Sequence, residues 1–366
     1  MRNSNINFET FKGDVVENTE IFFELPAIKG MQAGRPYYVT MCPLHLVAKI
    51  FTFTDNSLPP EMRVQRVLNK QRIPEMRDYI LNNRDNYVFS ALTASVDGEL
   101  LFESEGISNS VGQLRIPINS RIIINDGQHR RAAIEAVLEE CPDLRHEDIS
   151  IVLYYDLGLD RSQQMFTDLN RHAIRPTKSL NILYDNRDIF SIMIKECILK
   201  IPMFNGSVEN EKTCISNRSK ELFTLSGIFH ASKLLFQKQY HVDTESQSII
   251  TAYWNAVASN MLIWQKAKDR VMTPDFFRQT YICAHAITLK ALGEVGRVLI
   301  SNCSDQSKWS DKLQFLQSIN WNKESPDLQG LVIINGRIAS SQINQKAFFE
   351  YILSKADWDF TSERID

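Results

Sequence analysis

Residues 121–140, RIIINDGQHRRAAIEAVLEE, constrain the fold more than any other stretch: a β-branched run turns into helical periodicity at Asp126-Gly127. A buried strand stops there, a glycine permits a sharp turn, and a helix begins at once and ends before Pro142. A chain built round such a junction is α/β. The flanking sequence agrees. A β-rich region starts near Ile21 and runs through RPYYVTMCPLHLVAKIF, with Gly30, Gly34 and Pro36 as expected turn punctuation. Residues 58–83 predict two helices interrupted at Pro74, and YVFSALTASVDG (87–98) predicts a strand ending in an Asp-Gly turn. LRIPI and RIIIN flank Asn119-Ser120 and predict a hairpin. ISIVLYYDLG (149–158) reads as a further strand, and RSQQMFTDLNRHAIRP as a helix that breaks before Pro176.

After Asn186 the pattern turns helical. RSKELFTLSGIFHASKLLFQKQ, SQSIITAYWNAVASNMLIWQKA and TPDFFRQTYICAHAITLKALGEVGRVLI carry apolar residues at helical spacing, and Thr273-Pro274 opens the third. These stripes read as the core faces of a bundle. QGLVIINGRIASS predicts a last hairpin or strand before a terminal helix. The expected organisation is an arm over 1–19, a mixed-sheet domain over 20–185 and a helical domain over 186–366.

Composition bounds the function. Hydrophobic residues at 43% and charged residues at 23% are those of a globular chain with a proper core. Forty-one basic against forty-four acidic residues leave a net charge of −3, so any nucleic-acid site must be a local patch. No two of the six cysteines lie within four residues of each other, which leaves no C-x-x-C pair for zinc or thiol exchange. They read as isolated buried thiols. His45, His146, His230, His241 and His285 are scattered, without metal-ligand spacing. There is no Walker A motif and no G-x-S-x-G elbow. The N-terminal segment has no apolar core of a leader, and no run approaches a membrane span. A soluble, cytoplasmic protein without membrane contact is expected.

The junction carries the clearest chemistry. The unpaired N–H groups of a first helical turn and the helix dipole make an anion site. Gly127 would let backbone approach a ligand, and His129, Arg130 and Arg131 bring donors to the same end. Cations are unfavourable at a helix N-terminus unless an anion accompanies them, which points to a phosphate. The structural alternative stays open: Asp126 as N-cap, and Arg130 or Arg131 paired with Glu135, each worth about 0.3–1 kcal/mol. Two further segments matter. From Glu61 to Arg77, five cations face two acids, and Arg63, Arg66 and Lys70 share a helical face that suits a phosphate backbone, with Arg72 beside them. A solvated helix face is the ordinary alternative. Asn170-Arg171-His172-Ala173-Ile174-Arg175-Pro176 ends a helix in a Pro-fixed turn, so its polar side chains need not be core, and cations complementing the helix dipole are the ordinary reading.

INDGQHRRAAIEA resembles the motif of the DGQHR-domain family, and the surrounding blocks resemble its DndB branch, proteins of bacterial DNA phosphorothioation (sulfur modification). PAIKGMQAGRPYYVTMCPLHLVAKIF, LPPEMRVQRVLNKQRIPEMRDYI, YVFSALTASVDGE, RIIINDGQHRRAAIEA and MFTDLNRHAIRPTKSL occur in family order. The module is similar, more distantly, to the ParB/sulfiredoxin fold, where a Gly-x-x-Arg turn holds nucleotide phosphates. Gly127 and Arg130 fall on that pattern. Gln128 stands where sulfiredoxin has its catalytic cysteine, which excludes sulfinic-acid reduction. The resemblance implies ATP or another NTP, with Mg²⁺, at Gly127, Arg130, Arg131, Asn170 and Arg171. Asp126, Gln128 and His129 are the candidate catalytic residues, Asp126 doubling as metal ligand. Arg63, Arg66, Lys70 and Arg72 are the candidate DNA contacts. The implied function is a DNA-binding transcriptional regulator of the modification genes, with an NTPase of the same system as the alternative. The implied partners are double-stranded promoter DNA and other sulfur-modification proteins. The oligomeric state stays open, a homo-oligomer included.

Overall fold

The computed structural model describes residues 21–51, 68–155, 158, 163–165, 167–169, 176–216, 218–236 and 243–358. The chain divides into two compact units, 1–174 and 175–366, a division that falls earlier than the change of pattern after Asn186. The predicted arm over 1–19 lies outside the described residues.

The first unit is a seven-stranded mixed sheet. Its strands are β1 (Phe22–Gln32), β2 (Arg35–Pro43), β3 (Leu92–Asp97), β4 (Leu101–Ser104), β5 (Val111–Pro117), β6 (Arg121–Asp126) and β7 (Asp148–Tyr155). They lie in the order β4-β5-β1-β2-β7-β3-β6, with β3 and β7 parallel and the other pairs antiparallel. Period-two alternation makes them: in β7, Ile149, Ile151 and Leu153 are buried while their neighbours are not. The side chains pointing to this face form one apolar cluster with helix α1 (Leu44–Ile50) and with Ile134 of helix α3 (Gln128–Glu140). Helix α2 (Ile73–Asn82) has Pro74 in its first turn, as its sequence predicts. Of the helix predicted before it, residues 58–67 lie outside the described residues, and Lys70–Arg72 form a 3-10 turn.

Two local expectations are corrected. LRIPI and RIIIN form strands β5 and β6 but no hairpin. β5 pairs with β1 and β4, whereas β6 pairs with β3 at the opposite edge. Alternation identifies both strands and says nothing of their partners, and Asn119-Ser120 lacks the glycine that favours a tight two-residue hairpin turn. Of the turn residues expected near β1, only Gly34 sits in the turn. Ala33 and Gly34 both have positive φ, 50° and 72°, the twist that joins β1 to β2 in a two-residue loop. Gly30 and Pro36 are strand residues opposite Tyr37 and Met31.

The second unit is helical. It contains α4 (Lys178–Tyr184), α5 (Ile189–Lys200), α6 (Leu225–Lys233), α7 (Thr244–Asn260), α8 (Leu262–Lys268), α9 (Pro274–Thr280), α10 (Ala286–Asn302), α11 (Trp309–Lys312) and α12 (Gln342–Ser354). The predicted apolar stripes meet in one core centred on Trp254, Trp264, Phe204 and Phe223. Buried indoles find acceptors: Trp254 donates to Ser232 Oγ at 2.8 Å and Trp264 to the Cys283 carbonyl at 3.1 Å. Side chains cap α4, α5, α6, α7 and α12 through Thr177, Asp188, Thr224, Asp243 and Ser341. Two stripes break where a single helix reads from the sequence. Met261 separates α7 from α8. Residues 281–285 leave the helix because the Ile282 amide bonds the Trp321 carbonyl at 2.9 Å instead. Residues 329–339 close with the predicted hairpin, Ile333–Ile334 against Arg337–Ile338. All six cysteines are free, five of them buried and Cys214 exposed. No helix among the described residues is long and apolar enough to cross a membrane.

Candidate functional site

The junction is built as the sequence reads. β6 ends at Asp126, Gly127 takes φ 105° and ψ 14°, and α3 starts at Gln128. An L-residue rarely adopts that φ, so the turn needs glycine. The space on the Cα hydrogen side is nevertheless filled from within. A Cβ at Gly127 would stand 2.4 Å from Leu92 Cδ2 and 3.1 Å from an Arg130 nitrogen. The glycine serves the turn and the packing of Leu92.

The two arginines behave differently. Arg131 is buried, with 4% of its surface exposed. It donates to the Ala48 carbonyl at 2.7 Å and to Glu135 Oε2 at 3.0 Å, tying α3 to α1. Burial pulls its pKa below the usual guanidinium value, and Glu135 offsets part of that. Arg130 lies at the turn itself. It donates to Asp126 Oδ2 at 2.6 Å, to the Ser90 carbonyl at 2.8 Å and to the Ser90 hydroxyl. Asp126 thus pairs with Arg130 and does not cap the helix, whose N-cap is Gly127 with no side-chain hydrogen bond. The first turn of α3 holds no acidic residue. Gln128 is buried within it.

The residue before the turn is the one that sequence reasoning left without a role. Thr93 pairs with Asp126 and Ala94 with Ile124, so Asn125 is the extra residue of a β-bulge. The bulge puts two consecutive β6 side chains, Ile124 and Asn125, out of reach of water. Asn125 is fully buried, and neither its Oδ1 nor its Nδ2 has a hydrogen-bond partner. Such a pair of unmet polar atoms costs about 1–3 kcal/mol per group and marks a place where water, an ion or a ligand completes the bonding. Strand pairing alone shows it; no periodicity in RIIIND predicts a bulge.

The basic segment reaches the same corner. The Asn69 amide donates to His129 Nε2 at 3.2 Å, so His129 accepts through Nε2 at this contact. Residues Lys70–Arg72 form a 3-10 turn capped by Asn69, and Lys70 and Arg72 are both exposed there. Arg77, farther along α2, is paired with Asp78 at 2.7 Å and Glu140 at 2.9 Å. The structure therefore brings Asp126, Gly127, Gln128, His129, Arg130, Lys70 and Arg72 to one region. Arg63, Arg66, Asn170 and Arg171 lie outside the described residues. Among the described residues, no three or more His, Cys, Asp or Glu side chains form a group that could hold a metal ion.

β6, the left-handed Gly127 and α3 with Arg130 form the strand-to-helix junction with a Gly-x-x-Arg turn that the resemblance implies. The model of the DndB family, described as DNA-sulfur modification-associated, matches residues 25–359, nearly the whole chain and both units. The chain belongs to the DndB family. No curated protein and no solved structure matches it. Association with DNA sulfur modification therefore follows from DndB membership, while the roles of individual residues rest on their geometry.

Proposed function

We propose that this DndB chain is a DNA-binding regulator of the DNA phosphorothioation genes, with a nucleotide phosphate held at the DGQHR turn. The observation that carries the reading is the corner itself. An uncapped helix start, Arg130 and the unpartnered Asn125 amide meet within six residues, and Asn69 ties the exposed Lys70 and Arg72 to His129. Helix amides and a guanidinium suit phosphate oxygens. To serve a ligand, Arg130 must exchange Asp126 for the phosphate, and the freed carboxylate is then available to Mg²⁺. One carboxylate is enough for that ion, because Mg²⁺ commonly takes its other ligands from phosphate and water. ATP with Mg²⁺ would supply a hydrolysable phosphoanhydride, with Gln128 and His129 the nearest groups to orient water. Other sulfur-modification proteins are the partners that family membership favours.

Electrophoretic shift on promoter DNA of the modification genes, with phosphate release from ATP assayed on the same preparation, tests this. A salt-sensitive shift with nucleotide binding is expected. Phosphate release without any shift would favour the NTPase reading. Lys70→Ala with Arg72→Ala should weaken DNA binding across sequences and lower the salt slope by about two units, near one for each DNA phosphate no longer neutralised. Adding Arg63→Ala and Arg66→Ala should lower it further. An unchanged slope removes this surface from the DNA interface.

A further inference from the structure

Within the second unit, four helices enclose a cleft of about 610 Å³ that is separate from the DGQHR turn. Helical repeat builds its walls. Lys290 and Arg297 stand on one face of α10, two turns apart, with Gly293 between them. Gly293 brings that face close to α6: a Cβ there would lie 2.2 Å from the Ala231 carbonyl oxygen. α6 contributes His230 and Lys233, α4 contributes Lys178, and α12 contributes Phe349 and Lys346.

The charges do not balance. Arg297 pairs with Glu294 at 2.6 Å, and Lys346 with Glu350 at 3.7 Å. Lys178, Lys233 and Lys290 have no carboxylate partner among the described residues. Burial, and after it the charges of Lys290, Lys178 and Lys233, hold the half-buried His230 below its usual pKa. The three ammonium groups near His230 repel one another, and Lys233 also lies over the Phe229 ring, 5.9 Å from its centroid. Phe349, Leu234 and Ala291 add apolar surface to the lining. Clefts of this size, with apolar surface and a few convergent polar groups, suit small molecules, whereas a nucleic-acid strand needs an open track.

We propose that this cleft binds a nucleotide, with its phosphates on Lys178, Lys233 and Lys290 and its base against Phe349 and Leu234. Three uncompensated cations match the charge of one phosphate chain, and ammonium–phosphate contacts are charge-assisted. Like charges gathered without carboxylates of their own suit an anionic ligand that supplies the missing charge.

His230 supplies a local readout. A bound phosphate offsets the ammonium groups, so its pKa should rise. Glu294, Arg297 and Lys346 are the other charged groups of the lining, and their two ion pairs are complete without ligand. The full chain is titrated with AMP, ATP, inorganic pyrophosphate and a short single-stranded oligonucleotide, following the histidine NMR signal that His230→Gln removes. AMP and ATP should raise the His230 pKa, with pyrophosphate binding more weakly than ATP because it lacks the base. Lys178→Gln, Lys233→Gln and Lys290→Gln combined should weaken ATP about tenfold or more. The same variant should melt close to the parent, because none of the three lysines holds an ion pair and only the exposed Lys233–Phe229 contact is lost. Arg130→Ala should leave the His230 response intact, which separates this cleft from the turn. If no probe moves His230, or only the oligonucleotide does, the proposal fails. A response lost in Arg130→Ala but kept in the lysine variant would also overturn it.

Discussion

Arg131→Ala is expected to destabilise the first unit by about 3 kcal/mol, well beyond the effect of Arg130→Ala. Both arginines stand in the motif and read alike as ligand donors, but the fold uses them differently. Arg131 is buried against the Ala48 carbonyl and Glu135. Removing it leaves a cavity between α3 and α1 and an unpaired carbonyl. Glu135 is nearly half exposed and can return to water, which keeps the loss at the lower end of that for a broken buried pair. Arg130 is more accessible, and its partner Asp126 is 44% exposed, so Arg130→Ala should cost about 1–2 kcal/mol. That exceeds the loss expected of a simple helix-end interaction, because the Ser90 carbonyl also loses its donor. Urea unfolding of the full chain, with hydrogen exchange at the amides of β6 and α3, measures both. Equal losses would contradict the assignment of Arg131 to the fold. Nucleotide titration then separates the roles: Arg130→Lys keeps the charge but not the two-pronged geometry, and should bind weakly while melting near the parent.

What the sequence could show here depended on whether the controlling interaction was local. The strand–glycine–helix junction was legible because strand, turn and helix are adjacent, and their periods change within two residues. The helical stripes of the second unit were legible for the same reason. Arg130 was legible as a turn residue but not as a partner of Ser90, forty positions away on the approach to β3. The β5–β6 hairpin failed on the same ground, since alternation carries no information about which strand lies alongside. The bulge at Asn125 is a property of the β3–β6 register and has no signature within RIIIND. The cationic cleft was the least visible feature. Lys178, Lys233 and Lys290 are far apart along the chain, and each alone reads as an ordinary surface lysine.

Gly127→Ala should produce a comparable or larger loss, about 2–5 kcal/mol, by two routes that a double variant separates. One is backbone: at φ 105° an L-residue is strained, which costs about 1–2 kcal/mol even in the better left-handed region. The other is steric. The new methyl carbon would stand 2.4 Å from Leu92 Cδ2, and Leu92 is fully buried in the sheet core, so it has nowhere to move. Overpacking of this kind costs about 1–3 kcal/mol. Leu92→Ala alone should cost about 2–5 kcal/mol by leaving a cavity. In Gly127→Ala with Leu92→Ala the cavity receives the methyl group, so the double loss should be smaller than the sum of the two single losses by about the steric share. Strict additivity would assign the whole effect of Gly127→Ala to the backbone. The same variants bear on the ligand reading. If Gly127 served ligand approach alone, Gly127→Ala would abolish nucleotide binding with no change in melting temperature. The position of Leu92 requires instead that stability fall first, and that Gly127→Ala cost less in the Leu92→Ala background than in the parent.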